Sequence, residues 1–296
     1  MQDSSSSLRA SKLLLSILYV LTLSLLLYYL WDGFDYYLMP FMERPHHIDH
    51  QIIRPAGIRG HGLGVLGTLM MIILLSYSLR KRNMIFGNWG VLSTWLDFHI
   101  FLGIMGPLFI ILHTSFKLNG IVAISFWSMI AVALSGVFGR YLYLQIPRNI
   151  SGQEVGFKDL EETNKRLTQD IISTYNIDEE QITRIEQMIV GDTDPEKSMM
   201  RILISLVITD ITRFFRMRIA KQIIIHGTDI SKNQANILVN IARKKAILHR
   251  RIILLNKIHQ LFYYWHVIHK PFAIVMYIIM IIHVLLTVVL GYKWIF

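Results

Sequence analysis

Long apolar blocks with almost no charge constrain this chain more than any other feature. Residues 13–31 read LLLSILYVLTLSLLLYYLW, an apolar stretch long enough, as a helix, to cross a hydrocarbon core of about 30 Å. A second block follows His61 and runs to about residue 79, and others cover 91–114, 121–143 and 271–291. The chain is 53% hydrophobic and only 17% charged, and these apolar residues come in runs and not in an amphipathic scatter. The expected fold is therefore an all-α integral membrane bundle of five spans. The first block is too long for a signal-peptide core, and Trp31-Asp32-Gly33 is no small-residue cleavage site, so it reads as an uncleaved anchor.

Two of the spans carry histidines in a matched pattern. In LDFHIFLGIMGPLFIILHTSF, His99 and His113 are 14 residues apart, and in WHVIHKPFAIVMYIIMIIHVLL, His269 and His283 are also 14 apart. Fourteen residues turn a helix roughly 40° short of four full turns and rise about 21 Å, so both rings of each helix face one way. Two such helices, parallel and side by side, would offer an opposed histidine pair near each membrane face, as an iron porphyrin requires of its axial ligands. The expected cofactors are two haem b groups. The plainer alternative is that each ring is hydrogen-bonded to a neighbouring helix. A zinc site would cluster its ligands and not spread them along a span. The chain has no cysteine, which excludes disulfides, Fe–S ligation, thiolate haem ligands and covalent c-type attachment.

The connections set the topology. Residues 32–60 form a polar segment punctuated by Pro40, Pro45 and Pro55, with His46, His47 and His50 in a cluster that reads as a solvated loop, a weak transition-metal site or a docking surface. Arg80, Lys81 and Arg82 close the second span and Arg140 lies near the end of the fourth, marking the cytoplasmic side. Arg140 is a candidate partner for a haem propionate, and equally an interfacial arginine reaching lipid headgroups.

Residues 148–262 mix acidic and basic residues and read as a cytoplasmic helical insert, with helices around Glu161–Tyr175, Asp178–Ile189 and Pro195–Ile225. Within the last, Ile202–Ile208 is too short to span and is followed by Asp210, Arg213, Arg216 and Arg218, so the helix is expected to be packed or to lie near the bilayer surface. Asp229 is the last acidic residue. Arg243, Lys244, Lys245, Arg250, Arg251 and Lys257 then form a cationic segment ahead of the fifth span, which ends at Tyr292, Lys293 and Trp294.

This divides the chain into spans one to four (1–147), the insert (148–262) and the fifth span (263–296). The N-terminus is expected in the cytoplasm and the C-terminus outside, in a bacterial inner membrane. His99 and His269 then meet near the inner face, and His113 and His283 near the outer face. His266, one turn before His269, competes with it as the inner ligand, and Pro271 is expected to open the helix nearby. The formal charge of +10 reads as cationic flanks facing anionic lipid, not as a nucleic-acid surface.

The paired-histidine spans, His99 with His113 and His269 with His283, resemble the di-haem transmembrane cores of the ferric reductase and NADPH oxidase superfamily, and more distantly cytochrome b. The resemblance covers roughly residues 60–145 and 265–291 and implies that these four histidines ligate an inner and an outer haem b. The chain departs from the reductases in having no sixth span, no flavin and nicotinamide domain and no G-x-G-x-x-G element. Its electron donor is thus expected to be a separate redox subunit or a soluble carrier docking on the insert, with Lys244 and Lys245 among the contacts, and its acceptor another partner or a quinone. Two further readings are a stand-alone reductase of a metal ion or oxygen, and a non-redox membrane scaffold or sensor.

Overall fold

The structure, a computed structural model, describes residues 2–82, 84, 89–118, 120–148, 154–175, 179–191, 194–227 and 232–290. Tyr292, Lys293 and Trp294, expected at the membrane interface, lie outside the described residues, as do Asp178 and Asp229. Among the described residues the regular structure is helical, with one antiparallel bridge between Arg148 and Glu154. The helices are α1 (Gln2–Asp32), α2 (Phe34–Leu38), α3 (His50–Ile53), α4 (Ile58–Leu74), α5 (Ser76–Lys81) and α6 (Leu92–His113). They continue with α7 (Ile121–Gln145), α8 (Phe157–Tyr175), α9 (Glu179–Val190), α10 (Met199–Gly227) and α11 (Lys232–Val289). Five stretches are long and apolar enough to cross a bilayer: Arg9–Asp32, His50–Lys81, Leu92–His113, Val122–Gln145 and Asn233–Val289. The chain is an all-α, multi-pass membrane protein.

Two compact units are present, Met1–Arg140 with Trp265–Phe296, and Tyr141–Tyr264. The first is built on a close antiparallel packing of α4 and α6. A Cβ at Gly67 would lie 2.7 Å from Ile110 Cγ1 and 2.9 Å from the Gly106 carbonyl oxygen, and one at Gly64 would lie 2.6 Å from His113 Nδ1. Hydrogen at these positions is what lets the two backbones approach, because helices in lipid gain their association from packing and not from water exclusion. Around this contact, Leu26, Leu63, Met70, Phe101, Met105 and Phe109 form a buried core, and Tyr19 of α1 meets Phe101 edge-on at 4.8 Å. The end of α11 joins through Tyr277, whose hydroxyl donates to the Met71 carbonyl at 2.7 Å.

Pro271 does not open its helix. It lies inside the unbroken α11, as Pro107 lies inside α6. A proline removes one ladder hydrogen bond, and a membrane helix tolerates that loss where neighbouring groups take up the freed carbonyl.

The second unit packs α8, α9, α10 and the first part of α11 around an aliphatic core that includes Ile171, Ile182, Ile189, Ile224, Leu238 and Val239. The run Ile202–Ile208 is packed on one side, since Ile202 and Leu206 are buried with Ile146, Leu254 and Ile258. Two of the cations expected at the surface are inside it. Lys245 is buried in an ion pair with Glu186, and Arg250 is buried with Nη2 donating to Asp210 at 2.8 Å. The helical spacing that puts Ala242 and Ala246 in the core carries Lys245 and Arg250 inward with them. Lys244 remains exposed.

Asp210 also accepts from the Tyr141 hydroxyl and from Gln145 Nε2, each at 2.9 Å. Burial pushes its carboxyl up, but Arg250 and these donors outweigh that and hold it below the ordinary carboxylate value.

Removing one partner of a buried pair strands the other charge, at about 3–5 kcal/mol. Glu186→Ala is therefore expected to lower the thermal midpoint of the purified full-length chain sharply, and the double change Glu186→Leu with Lys245→Met to restore most of it. The Asp210 contribution is present at neutral pH and is lost as pH falls through its lowered folded-state pKa. Asp210→Asn should consequently be less stable than the parent at pH 7, with the difference shrinking in unfolding curves taken at progressively lower pH.

Candidate functional site

All four matched histidines lie in the first unit. His99 and His113 sit on α6, with His99 near its start and His113 as its last residue. His99 Nδ1 is 3.1 Å from the carbonyl oxygen of Leu74, and His113 Nδ1 is 2.7 Å from that of Gly60. Leu74 and Gly60 are themselves 14 residues apart on the antiparallel α4, so the interval that aligns the two rings also aligns their two acceptors. Leu74 ends α4, and Ser78 N turns to the Leu75 carbonyl, which leaves the Leu74 oxygen open to the imidazole.

A carbonyl oxygen has no hydrogen to give. In both contacts Nδ1 must therefore carry the proton, which makes Nε2 the bare, lone-pair nitrogen. At His269 the partner is a hydroxyl: Nδ1 lies 2.6 Å from Ser135 Oγ, which is also 2.9 Å from the Val132 carbonyl oxygen. Either that hydroxyl accepts from Nδ1–H while donating to Val132, or it donates to Nδ1 itself. Among the described residues no hydrogen bond reaches Nε2 of His99, His113 or His269. His283, on α11, makes no side-chain hydrogen bond to a described residue.

The rings are brought together in two sets. His269 lies within electrostatic range of His99 and of His266, and His113 within range of His283 and His61. This pairing of first with first and second with second requires the two helical segments to run parallel. Trp265 packs beside His269 with ring centroids 4.9 Å apart and donates its indole N–H to the Ser135 carbonyl at 2.7 Å. It also stands edge-on to His266 at 4.4 Å. Of the two neighbours, His269 holds the Ser135 bond.

Nδ1–H donation to a carbonyl or hydroxyl is how metal-bound histidines are usually oriented. The donor set therefore fits axial ligation of haem iron. Among the described residues no group of three or more His, Asp or Glu is arranged to hold a metal ion directly, and this includes His46, His47 and His50. His47 Nδ1 accepts from the backbone N–H of Asp49 at 3.1 Å, and His50 Nδ1 lies 3.2 Å from the Tyr36 hydroxyl. Arg140 pairs with Asp97, with Nη2 and Oδ1 3.1 Å apart. His249 and His259 belong to the second unit, beside Asn164 and Glu154 respectively.

Three contributors carry no signal in one-dimensional spacing: Ser135, Asp97 and Arg44. The segment of residues 32–60, read as an unpatterned loop, is ordered by Arg44. This buried side chain donates from Nε to Met39 O at 2.9 Å, from Nη2 to Tyr37 O at 2.7 Å and from Nη1 to Ser115 O at 2.6 Å. Its guanidinium also stacks over Phe41 at 4.3 Å. Ser115 and Phe116, directly after His113, have φ of 47° and 62°, a left-handed conformation that costs a non-glycine residue roughly 1–2 kcal/mol. Arg44 and the bond from Ser115 Oγ to Ile53 O at 3.0 Å hold that reversal in place. Burial raises the Tyr36 hydroxyl above its ordinary range against the opposing pull of Arg44, so Tyr36 remains neutral beside His50.

Lysine cannot reproduce a three-carbonyl fork. Arg44→Lys is expected to open the 39–58 segment to limited proteolysis and to destabilise the chain by about 1.5–3 kcal/mol for each charged hydrogen bond lost, read as a lower thermal midpoint. Comparison with protein-family models, curated proteins and solved structures returned no match, so the likeness to ferric reductase cores rests on these residues alone.

Proposed function

We propose that this chain is a di-haem b-type membrane cytochrome that relays electrons across the bilayer between a redox partner on one face and an acceptor or quinone on the other. The observation that carries this reading is the set of Nδ1 contacts: His99 and His113 meet the carbonyls of Leu74 and Gly60, which call for Nδ1–H, His269 Nδ1 meets Ser135 Oγ, and among the described residues Nε2 of all three has no hydrogen bond. A ring retained only for packing would gain by using both nitrogens, because an unpaired polar atom in an apolar interior is costly.

In this reading His99 and His269 hold one haem, and His113 and His283 the other. Haem iron between two histidines supplies one-electron chemistry, and the protein supplies spacing, ligand orientation and a low-dielectric surround. Gly64 and Gly67 allow α4 to approach α6 so that its carbonyls orient both α6 ligands. Ser135 performs the same service for His269. Arg140 is the candidate partner for a propionate, and Asp97 holds its guanidinium in the meantime; five N–H donors let it serve both. The cationic ends of the spans support a cytoplasmic N-terminus and an outer C-terminus, in a bacterial inner membrane. The chain then acts as the membrane electron-transfer subunit of an oxidoreductase, receiving electrons from a separate subunit or soluble carrier.

Purified protein is expected to contain two low-spin haems per chain. His113→Ala or His283→Ala should remove one of them, and His99→Ala or His269→Ala the other. Ser135→Ala should keep both haems and raise the midpoint potential of the His99–His269 haem alone, since losing an Nδ1–H acceptor makes the imidazole a poorer donor to ferric iron. A haem content near zero, or loss of a haem on His266→Ala but not on His269→Ala, would overturn the assignment.

A further inference from the structure

One long apolar face of α10 is exposed within the second unit. On α10, Ile202, Leu206, Ala220 and Ile224 are buried in the unit. The opposite face carries Ile204, Ile208, Ile211, Phe215, Ile219 and Ile223, all exposed, with Ile211 at 72% and Phe215 at 64%. At 100° per residue these six positions fall within roughly 120° of the helix circumference and extend over about 28 Å. Exposed single apolar residues are ordinary, but a continuous stripe of this length marks a contact surface.

The charges around it identify the contact. Besides the stripe, α10 carries Arg201, Arg213, Arg216, Arg218 and Lys221, while its one acid, Asp210, is engaged with Arg250. Arg218 projects from the exposed side with its guanidinium 4.8 Å from the Phe214 ring centroid, an arrangement that keeps the charge at the edge of an apolar surface. The helix does not qualify as a span. An isoleucine- and phenylalanine-rich face edged by arginine and lysine matches a helix lying in the plane of an anionic membrane surface.

We propose that α10 lies in the headgroup region of an anionic lipid leaflet, with the Ile204–Ile223 stripe in the acyl boundary and Arg216, Arg218 and Lys221 at the phosphates. The inference is independent of the haem assignment. It makes α10 a lipid-composition sensor for the second unit, since removing anionic lipid removes the electrostatic part of its attachment.

Because the chain has no cysteine, single spin labels can be placed on the full-length protein in nanodiscs of phosphatidylcholine with or without phosphatidylglycerol. Labels at Ile211→Cys and Phe215→Cys are expected to collide several-fold more with oxygen than with a water-soluble nickel chelate in the anionic discs. A label at the exposed Glu180→Cys should show the reverse. Adding Arg218→Glu and Lys221→Glu, which leaves the buried face untouched, should shift the two stripe labels toward the nickel chelate. Nickel-dominated collisions at the stripe in anionic discs would overturn the proposal. So would spin–spin broadening at Phe215→Cys, which would assign the face to a second copy of this chain, or collision ratios indifferent to phosphatidylglycerol and to the charge reversal.

Discussion

The close approach of α4 to α6 is the constraint on which the candidate site depends. Two missing Cβ atoms, at Gly64 and Gly67, let the helices come near enough that imidazoles from one reach backbone carbonyls of the other. Backbone carbonyls are acceptors only, so the contact settles which ring nitrogen holds the proton. Antiparallel helices share one rise per residue. An interval of 14 on α6 is therefore met by an interval of 14 on α4, and a single packing event orients both α6 imidazoles. Ser135 and Trp265 reach the same end at His269 by side-chain means. His283 stands apart in making no such bond to a described residue.

Polar groups away from water are handled by different strategies in the two units. Arg44 is buried without a carboxylate, and three backbone oxygens take its donors. That arrangement fastens the chain reversal after His113 to the segment preceding α4, so a charged side chain fixes backbone and not another charge. In the second unit the choice is ionic: Lys245 with Glu186, and Arg250 with Asp210. Such pairs add little net stability over an apolar replacement, yet losing one member is severe. They make the packing of α9, α10 and α11 dependent on particular partners, which suits a unit whose aliphatic core would accept many arrangements.

This has a consequence for how the cationic segment before the fifth span is read. Of the six cations between Arg243 and Lys257, Lys245 and Arg250 are structural, so the proposed docking of a redox partner would have to use exposed neighbours such as Lys244. In the proposed lipid contact the cations that matter are those of α10, where they border an apolar face and the one acid of the helix is already engaged.

Composition and order alone determined that the chain is helical and crosses a membrane five times, because a hydrocarbon core admits only segments of sufficient length that satisfy their own backbone. They also determined that His99 with His113, and His269 with His283, share a helix face, since that follows from rise and turn per residue. Tertiary structure decided what periodicity cannot contain. The acceptors at Gly60, Leu74 and Ser135, the partner of Arg140 at Asp97 and the clamp of Arg44 lie 25 or more residues from the groups they serve, except for the local bonds of Arg44 to Met39 and Tyr37. Lys245 turns inward for the same reason, toward Glu186. Local preference counts the residues of one segment, whereas a buried ammonium is settled by the segment packed against it.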